Sequence, residues 1–216
     1  MFLMIKPNEK LVNTIIDAID WNEVYNPERM FSEEDISSVS ESLPMDLTIR
    51  TGASKCVLIP ETENFVIKLP FLYCSKEEDI IELQNAPFCG NDYCYAEYEY
   101  YSLAHEARLD SFFPETIQYC TYPYHIYLQE KCISETNTPF LPISKKEREL
   151  IESLHILNDF SYQWISACYH WYGKTGLYDL HSFLNKYKIT DFHSDNYGYR
   201  ISDMSPVLID FSGFDY

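Results

Sequence analysis

Residues 47–50 (LTIR), 56–59 (CVLI) and 64–68 (NFVIK) are three short β-rich runs in succession. The turns between them, 51–55 (TGASK) and 60–63 (PETE), make the three a meander of adjacent strands. A helical pattern rich in Glu and Tyr follows over 92–107, then two more strand-like runs at 116–121 and 124–129. A Pro-containing connector, 134–142, leads to Ser144 and Glu147, whose spacing is a capping box for a helix running to about residue 160. A second helix is predicted over 177–187, after the breakers Gly173 and Gly176, and the chain closes with a loop, 189–198, and a strand, 206–210. Upstream, 8–50 reads as helical and acidic. Leu11, Ile15, Ile16 and Ile19 stand at helical spacing, Trp21 follows, and Ser32 is placed to cap a second helix over 31–36. No internal repeat is visible. This order predicts an α+β chain of two lobes: 1–130, strand-rich with an N-terminal helical extension, and 131–216, helical.

Composition narrows the partners. With 216 residues, 46% of them apolar, the chain is long enough to bury a sizeable core as one domain or two small lobes. Its 19 Tyr and 13 Phe against only 6 Gly argue against disorder or a flexible-linker architecture. A formal charge of −18 disfavours nucleic acid as a partner, because binding it takes a basic surface. Any polyanionic ligand must then be met by local cations, which makes each lysine in a candidate site informative. The seven cysteines are scattered, with no CxxC pair or Cys/His cluster, so no zinc site is expected and reduced thiols in a cytoplasm are the simplest reading. The apolar start over 1–6 is too short for a signal peptide, and no run approaches a membrane span.

The chemistry-bearing residues concentrate at the C-terminal end. Asp191 and Asn196 are five apart in 190–198 (TDFHSDNYG), and Asp210-Phe211 ends the last strand. This D-x-H-x-x-N form followed by a strand and Asp-Phe resembles the catalytic loop and metal-binding strand of the protein-kinase-like superfamily, closest to its small-molecule and atypical kinases. The resemblance implies ATP and Mg²⁺ bound in a cleft between the two lobes. It gives Asp191 the role of orienting an acceptor hydroxyl and taking its proton. Asn196 and Asp210 would hold magnesium, a hard cation that takes oxygen ligands.

The first half adds a second set. Lys68, in Val66-Ile67-Lys68, resembles the strand lysine that holds the α- and β-phosphates in that superfamily. Burying an ammonium in so apolar a strand requires a counter-charge. The family's partner is a glutamate on the next helix, here Glu97 or Glu99, with Glu97 favoured because it shares a helix face with Tyr101 and Ala104. Gly52, Ala53, Ser54 and Lys55 stand where the phosphate-covering hairpin belongs, offering backbone amides, a hydroxyl and an ammonium. Residues 127–132 resemble a fifth strand running into a hinge, where backbone groups of Glu130 and Cys132 would meet the adenine edge.

Three features depart from the pattern. Ile189-Thr190 replaces the usual His-Arg or His-Gly, with His193 as a substitute orienting group; Ser212 stands between Phe211 and Gly213; and the sequence ends at Tyr216, without an activation segment. The resemblance therefore implies a compact phosphotransferase with a small-molecule or protein acceptor rather than an ordinary peptide kinase. Two alternatives stay open: a pseudokinase binding nucleotide or a protein partner, and a nucleotidyl (AMP) transferase on the same fold. The aromatic group Trp164, Tyr169, His170, Trp171 and Tyr172 is expected to be core.

Overall fold

A computed structural model describes residues 5–19, 46–51, 55–70, 92–121, 125–134, 144–154, 161–190, 192–193 and 195–211. Within these residues the chain is α+β with antiparallel sheets and four α-helices. It divides into two compact units: Met1–Tyr98 with Glu115–Glu130, and Glu99–Pro114 with Lys131–Tyr216. Segment 99–114 thus belongs with the second unit, whereas a single cut at residue 130 leaves it in the first.

The first unit is built on a five-stranded antiparallel sheet. The strands are β1 (Leu47–Thr51), β2 (Lys55–Pro60), β3 (Phe65–Pro70), β4 (Thr116–Cys120) and β5 (Ile126–Glu130), in the order β1-β2-β3-β5-β4. Strand alternation sorts their side chains onto two faces. The register pairs Leu58 with Ile67, Cys56 with Leu69, and Ile67 with Leu128, so the centre of one face is apolar. Helix α1 (Glu9–Ala18) covers that face with Val12, Ile15 and Ile19, which join Ile5, Phe65 and Ile126 in one buried cluster. Each fully buried side chain of this size contributes about 1.5–3 kcal/mol. Asn8 starts the helix by accepting the Leu11 N–H, and Ile5 N–H donates to Glu115 Oε2 at 2.6 Å, tying the chain start to the sheet.

The opposite face is polar. Lys68 pairs with Tyr127, Val66 with Gln129, Thr116 with Gln129, and Gln118 with Tyr127. An apolar run read along β3 is therefore two different surfaces: Phe65, Ile67 and Leu69 enter the core, and Lys68 points the other way. Helix α2 (Tyr93–Glu106), which carries Glu97, begins in this unit.

The second unit holds a three-stranded antiparallel sheet, ordered β6 (Cys132–Ser134), β7 (Tyr197–Arg200), β8 (Pro206–Leu208). It also holds helices α3 (Lys145–Leu154) and α4 (Tyr162–Tyr187). The capping box forms as spaced: Ser144 N–H donates to Glu147 Oε2 at 2.9 Å and Glu147 N–H to Ser144 Oγ at 3.2 Å. Helix α4 corrects the expectation of a helix starting at 177. Gly173 breaks the helical path as expected, at φ 70°, so α4 is two helical stretches joined at a kink; Gly176 lies inside the second stretch, where a Cβ would meet Tyr172 Cβ at 2.9 Å and Phe112 at 3.4 Å. The predicted loop 189–198 also ends early, since Tyr197 and Gly198 already belong to β7. The aromatic group divides by exposure: Trp164 is fully buried and donates its indole N–H to Val207 O, whereas Trp171 is 50% exposed and His170 lies on the surface. The capping of residues 31–36 and the end of α3 near 160 lie outside the described residues.

Arg200 ties this unit together. Its guanidinium donates to Ser111 O at 2.7 Å, Phe113 O at 2.6 Å and Ser205 Oγ at 3.2 Å. Tyr172 Oη lies 2.8 Å from Ser111 O and 2.9 Å from Pro206 O. Phe113 meets Phe183 and Phe211 at ring-centroid distances of 5.6 and 4.9 Å. Where β6 meets β7, Gly198 is required by space: a Cβ there would lie 2.1 Å from Ile133 O and 3.0 Å from Ser134 Cα, both backbone atoms. Gly198→Ala is accordingly expected to push β6 off β7 and lower stability by at least the roughly 1–3 kcal/mol typical of overpacking. A denaturant midpoint equal to that of the parent chain would contradict this.

Candidate functional site

Each unit contributes one set of sequence-predicted residues. In the first, Lys55 on β2 and Lys68 on β3 both reach Glu97 on α2. Lys68 Nζ donates to Glu97 Oε2 at 2.6 Å, and Lys55 Nζ donates to Oε1. Gln129 Nε2 reaches Oε2 at 3.3 Å and Thr116 Oγ1 at 3.2 Å, bracing the carboxylate from β5. All three charged groups are buried, at 5% exposure for Lys55, 4% for Lys68 and 0% for Glu97. Of the two candidate glutamates, Glu97 is the buried one and Glu99 is exposed. Ala104 shares the buried face, and Tyr101 is half-buried. Burying three charges is costly unless geometry and hydrogen bonds compensate, so such a cluster is weak support for stability as its purpose. Next to it, burial pushes the Cys94 thiol well above its usual range, which keeps it protonated and unreactive.

A second polar network in the same unit was not read from the sequence. Asp92 caps α2, its Oδ1 accepting the Tyr95 N–H at 2.8 Å. Its Oδ2 lies 2.7 Å from His125 Nδ1 and accepts the Tyr127 hydroxyl at 2.8 Å. All three side chains are buried, and His125 Nε2 has no hydrogen-bond partner among the described residues. Burial, reinforced by the Asp92 carboxylate, pushes the Tyr127 phenol far above its ordinary range, so it stays a donor. The network fixes the start of α2 on β5, and Glu97 follows in the second turn. The only sequence signal was an Asp preceding a helical pattern. His125 and Tyr127 gave none, because their partner is 33 and 35 residues away.

In the second unit, Asn196 and Asp210 are brought together by the β7–β8 hairpin. Asn196 O accepts the N–H groups of Ile209 at 2.8 Å and Asp210 at 3.2 Å. Asn196 is buried and Asp210 half-buried, two residues past the end of β8. Phe211 is fully buried against Phe113. The entry to the loop is anchored by Ile189, which is 2% exposed and donates its N–H to Leu184 O. His193 is exposed, its carbonyl accepting the Asn196 N–H and its ring the Asp195 N–H at 3.3 Å, so it shapes the turn before Asn196. The contact shown between Asn196 and Asp210 is through the backbone; an amide oxygen and a carboxylate are the donor types that magnesium takes.

Gly52, Ala53, Ser54 and Asp191 lie outside the described residues. Glu130 ends β5 and Cys132 opens β6, on either side of the boundary between the units, and the Glu130 N–H donates to Glu115 O at 2.8 Å. Among the described residues no helix is long and apolar enough to cross a membrane. No protein-family model matches the sequence, and no curated protein matches it.

Proposed function

We infer that the chain is a protein-kinase-like phosphotransferase that uses ATP and Mg²⁺ on a small-molecule or protein acceptor. The observation that carries this is the buried pairing of Lys68 with Glu97 between a strand of an antiparallel sheet and the helix that follows it in sequence. In this reading the first unit supplies the ammonium that holds the phosphates. The second supplies Asn196 and Asp210 for the metal, and Asp191 as the base that takes the acceptor's proton. When bound, magnesium neutralises charge on the phosphates. The chain's own contribution is positioning: Glu97 fixes the Lys68 ammonium, and the Asn196 carbonyl fixes the backbone at Asp210. Backbone groups of Glu130 and Cys132, flanking the boundary between the units, would meet the adenine.

The test is a melting scan with and without ATP–Mg²⁺. At about 100 times its Kd a ligand adds about 2.7 kcal/mol, a rise of roughly 5–10 °C for a chain of this size. No shift at millimolar nucleotide would overturn nucleotide binding and leave the non-binding pseudokinase. If the shift appears, mass spectrometry of a reacted acceptor separates phosphate addition from AMP addition.

A further inference from the structure

Polar residues occupy every second position at β5: His125 just before the strand, then Tyr127 and Gln129 within it. Ile126 and Leu128, between them, face the apolar core. The polar three are buried, and each is turned toward a carboxylate of α2 or its cap. His125 Nδ1 and the Tyr127 hydroxyl reach Asp92 Oδ2, and Gln129 Nε2 reaches Glu97 Oε2. The two attachments match in spacing. Five residues of helix, Asp92 to Glu97, rise about 7.5 Å, and two residues of strand, Tyr127 to Gln129, span about 6.6 Å. One attachment would let the helix pivot; two fix both its slide along β5 and its turn about its own axis.

We propose that His125 and Tyr127 are positioning residues for nucleotide binding: by clamping Asp92 at the start of α2 they set Glu97 against Lys68. The proposal rests on the phosphotransferase reading and adds the device that holds its lysine in place. Neither residue touches the nucleotide. They act through Asp92, along the first turns of α2 to Glu97, and from Glu97 to Lys68, all within the first unit. The Lys68–Glu97 bond is 2.6 Å long, and a hydrogen bond is lost by about 3.6 Å. A shift of α2 by about 1 Å therefore breaks the pair or drags Lys68 along, and in both cases the ammonium leaves its place. Apolar side chains would join helix and sheet equally firmly, so buried donors aimed at two carboxylates serve position rather than strength.

The test is calorimetric titration with ATP–Mg²⁺ and, separately, adenosine. It compares the parent chain with His125→Leu, His125→Asn and Tyr127→Phe, each shown by melting to be folded. His125→Leu removes the donor. His125→Asn keeps an N–H near the place of Nδ1 and discards Nε2, which has no partner among the described residues. His125→Leu is expected to weaken ATP–Mg²⁺ binding about tenfold or more, the loss of a well-placed charge-assisted hydrogen bond, and Tyr127→Phe acts in the same direction. Adenosine affinity stays the same in both. His125→Asn binds ATP–Mg²⁺ within about twofold of the parent even where it melts lower. In a Lys68→Met background, His125→Leu costs less than about twofold further, because the interaction it governs is already gone. Three results would overturn the proposal and leave the phosphotransferase reading standing: parent-like ATP–Mg²⁺ binding by His125→Leu, an equal loss for adenosine, or an undiminished loss in the Lys68→Met background. If His125→Leu does not fold, Tyr127→Phe, which removes a single hydroxyl, decides the same question. If the parent itself does not bind ATP–Mg²⁺, the phosphotransferase reading falls and this one with it.

Discussion

Glu97→Ala is expected to destabilise the first unit by about 3–5 kcal/mol, a large part of the 5–15 kcal/mol that holds a typical domain folded. The substitution removes the carboxylate that receives both Lys55 and Lys68, while Gln129 Nε2 loses one of its two acceptors. Two ammonium groups, 5% and 4% exposed, are then left without that counter-charge. Packing is lost as well, because Glu97 is fully buried on α2. The measurement is the urea midpoint, and a loss under about 1 kcal/mol would show that the triad is not strongly coupled to the fold. A companion triple variant, Lys55→Met with Lys68→Met and Glu97→Leu, separates charge from shape. Replacing all three ions with apolar groups of similar size should recover most of the lost stability, since a buried ion cluster and a packed apolar one are often near equal. The same triple variant should lose nucleotide binding entirely. Recovery of stability without recovery of binding is the pattern expected of a cluster retained for function.

Asp210→Asn is expected to abolish phosphate transfer from labelled ATP and to leave the fold intact. The change is nearly isosteric, and the backbone N–H of residue 210 can still donate to Asn196 O. What disappears is the carboxylate charge at residue 210, and a hard divalent cation binds carboxylates far better than amides. In the phosphotransferase reading Asp210 would help hold a metal whose charge offsets that of the transferring phosphoryl group, so its loss would act on the chemical step. An unchanged melting temperature together with lost turnover is the anticipated pair of results. Turnover at the parent rate would remove Asp210 from the chemistry.

Local order was legible wherever the signal is local. The meander 47–68, the helix beginning near 92 and the Ser144/Glu147 capping box follow from periodicity and turn chemistry over a few residues. Helix α4 was misread because two glycines look alike in sequence. Gly173 adopts a left-handed φ of 70° and Gly176 stays helical, packed against Phe112 from a distant segment. The first two residues of strand β7, Tyr197 and Gly198, were taken as the end of the loop because they follow the turn-type residues Asp195 and Asn196. They belong to a strand because β6 and β8 pair with β7 from both sides. The Arg200 hub was invisible for a related reason: its acceptors are backbone carbonyls of Ser111 and Phe113, and carbonyls have no sequence signature.

The sequence by itself determined that Lys68 must find a counter-charge and that a glutamate on the following helix can supply it. A lone ammonium in an apolar strand costs too much otherwise, and helix spacing favours Glu97 over Glu99. Tertiary structure alone decided that the carboxylate is shared. The two lysines lie 13 residues apart in sequence. Only the antiparallel register, with Val57 opposite Lys68, sets them on one face of the sheet, and a slip of one residue would turn Lys55 to the opposite side. Register is a property of two paired strands, so no reading of either strand alone contains it.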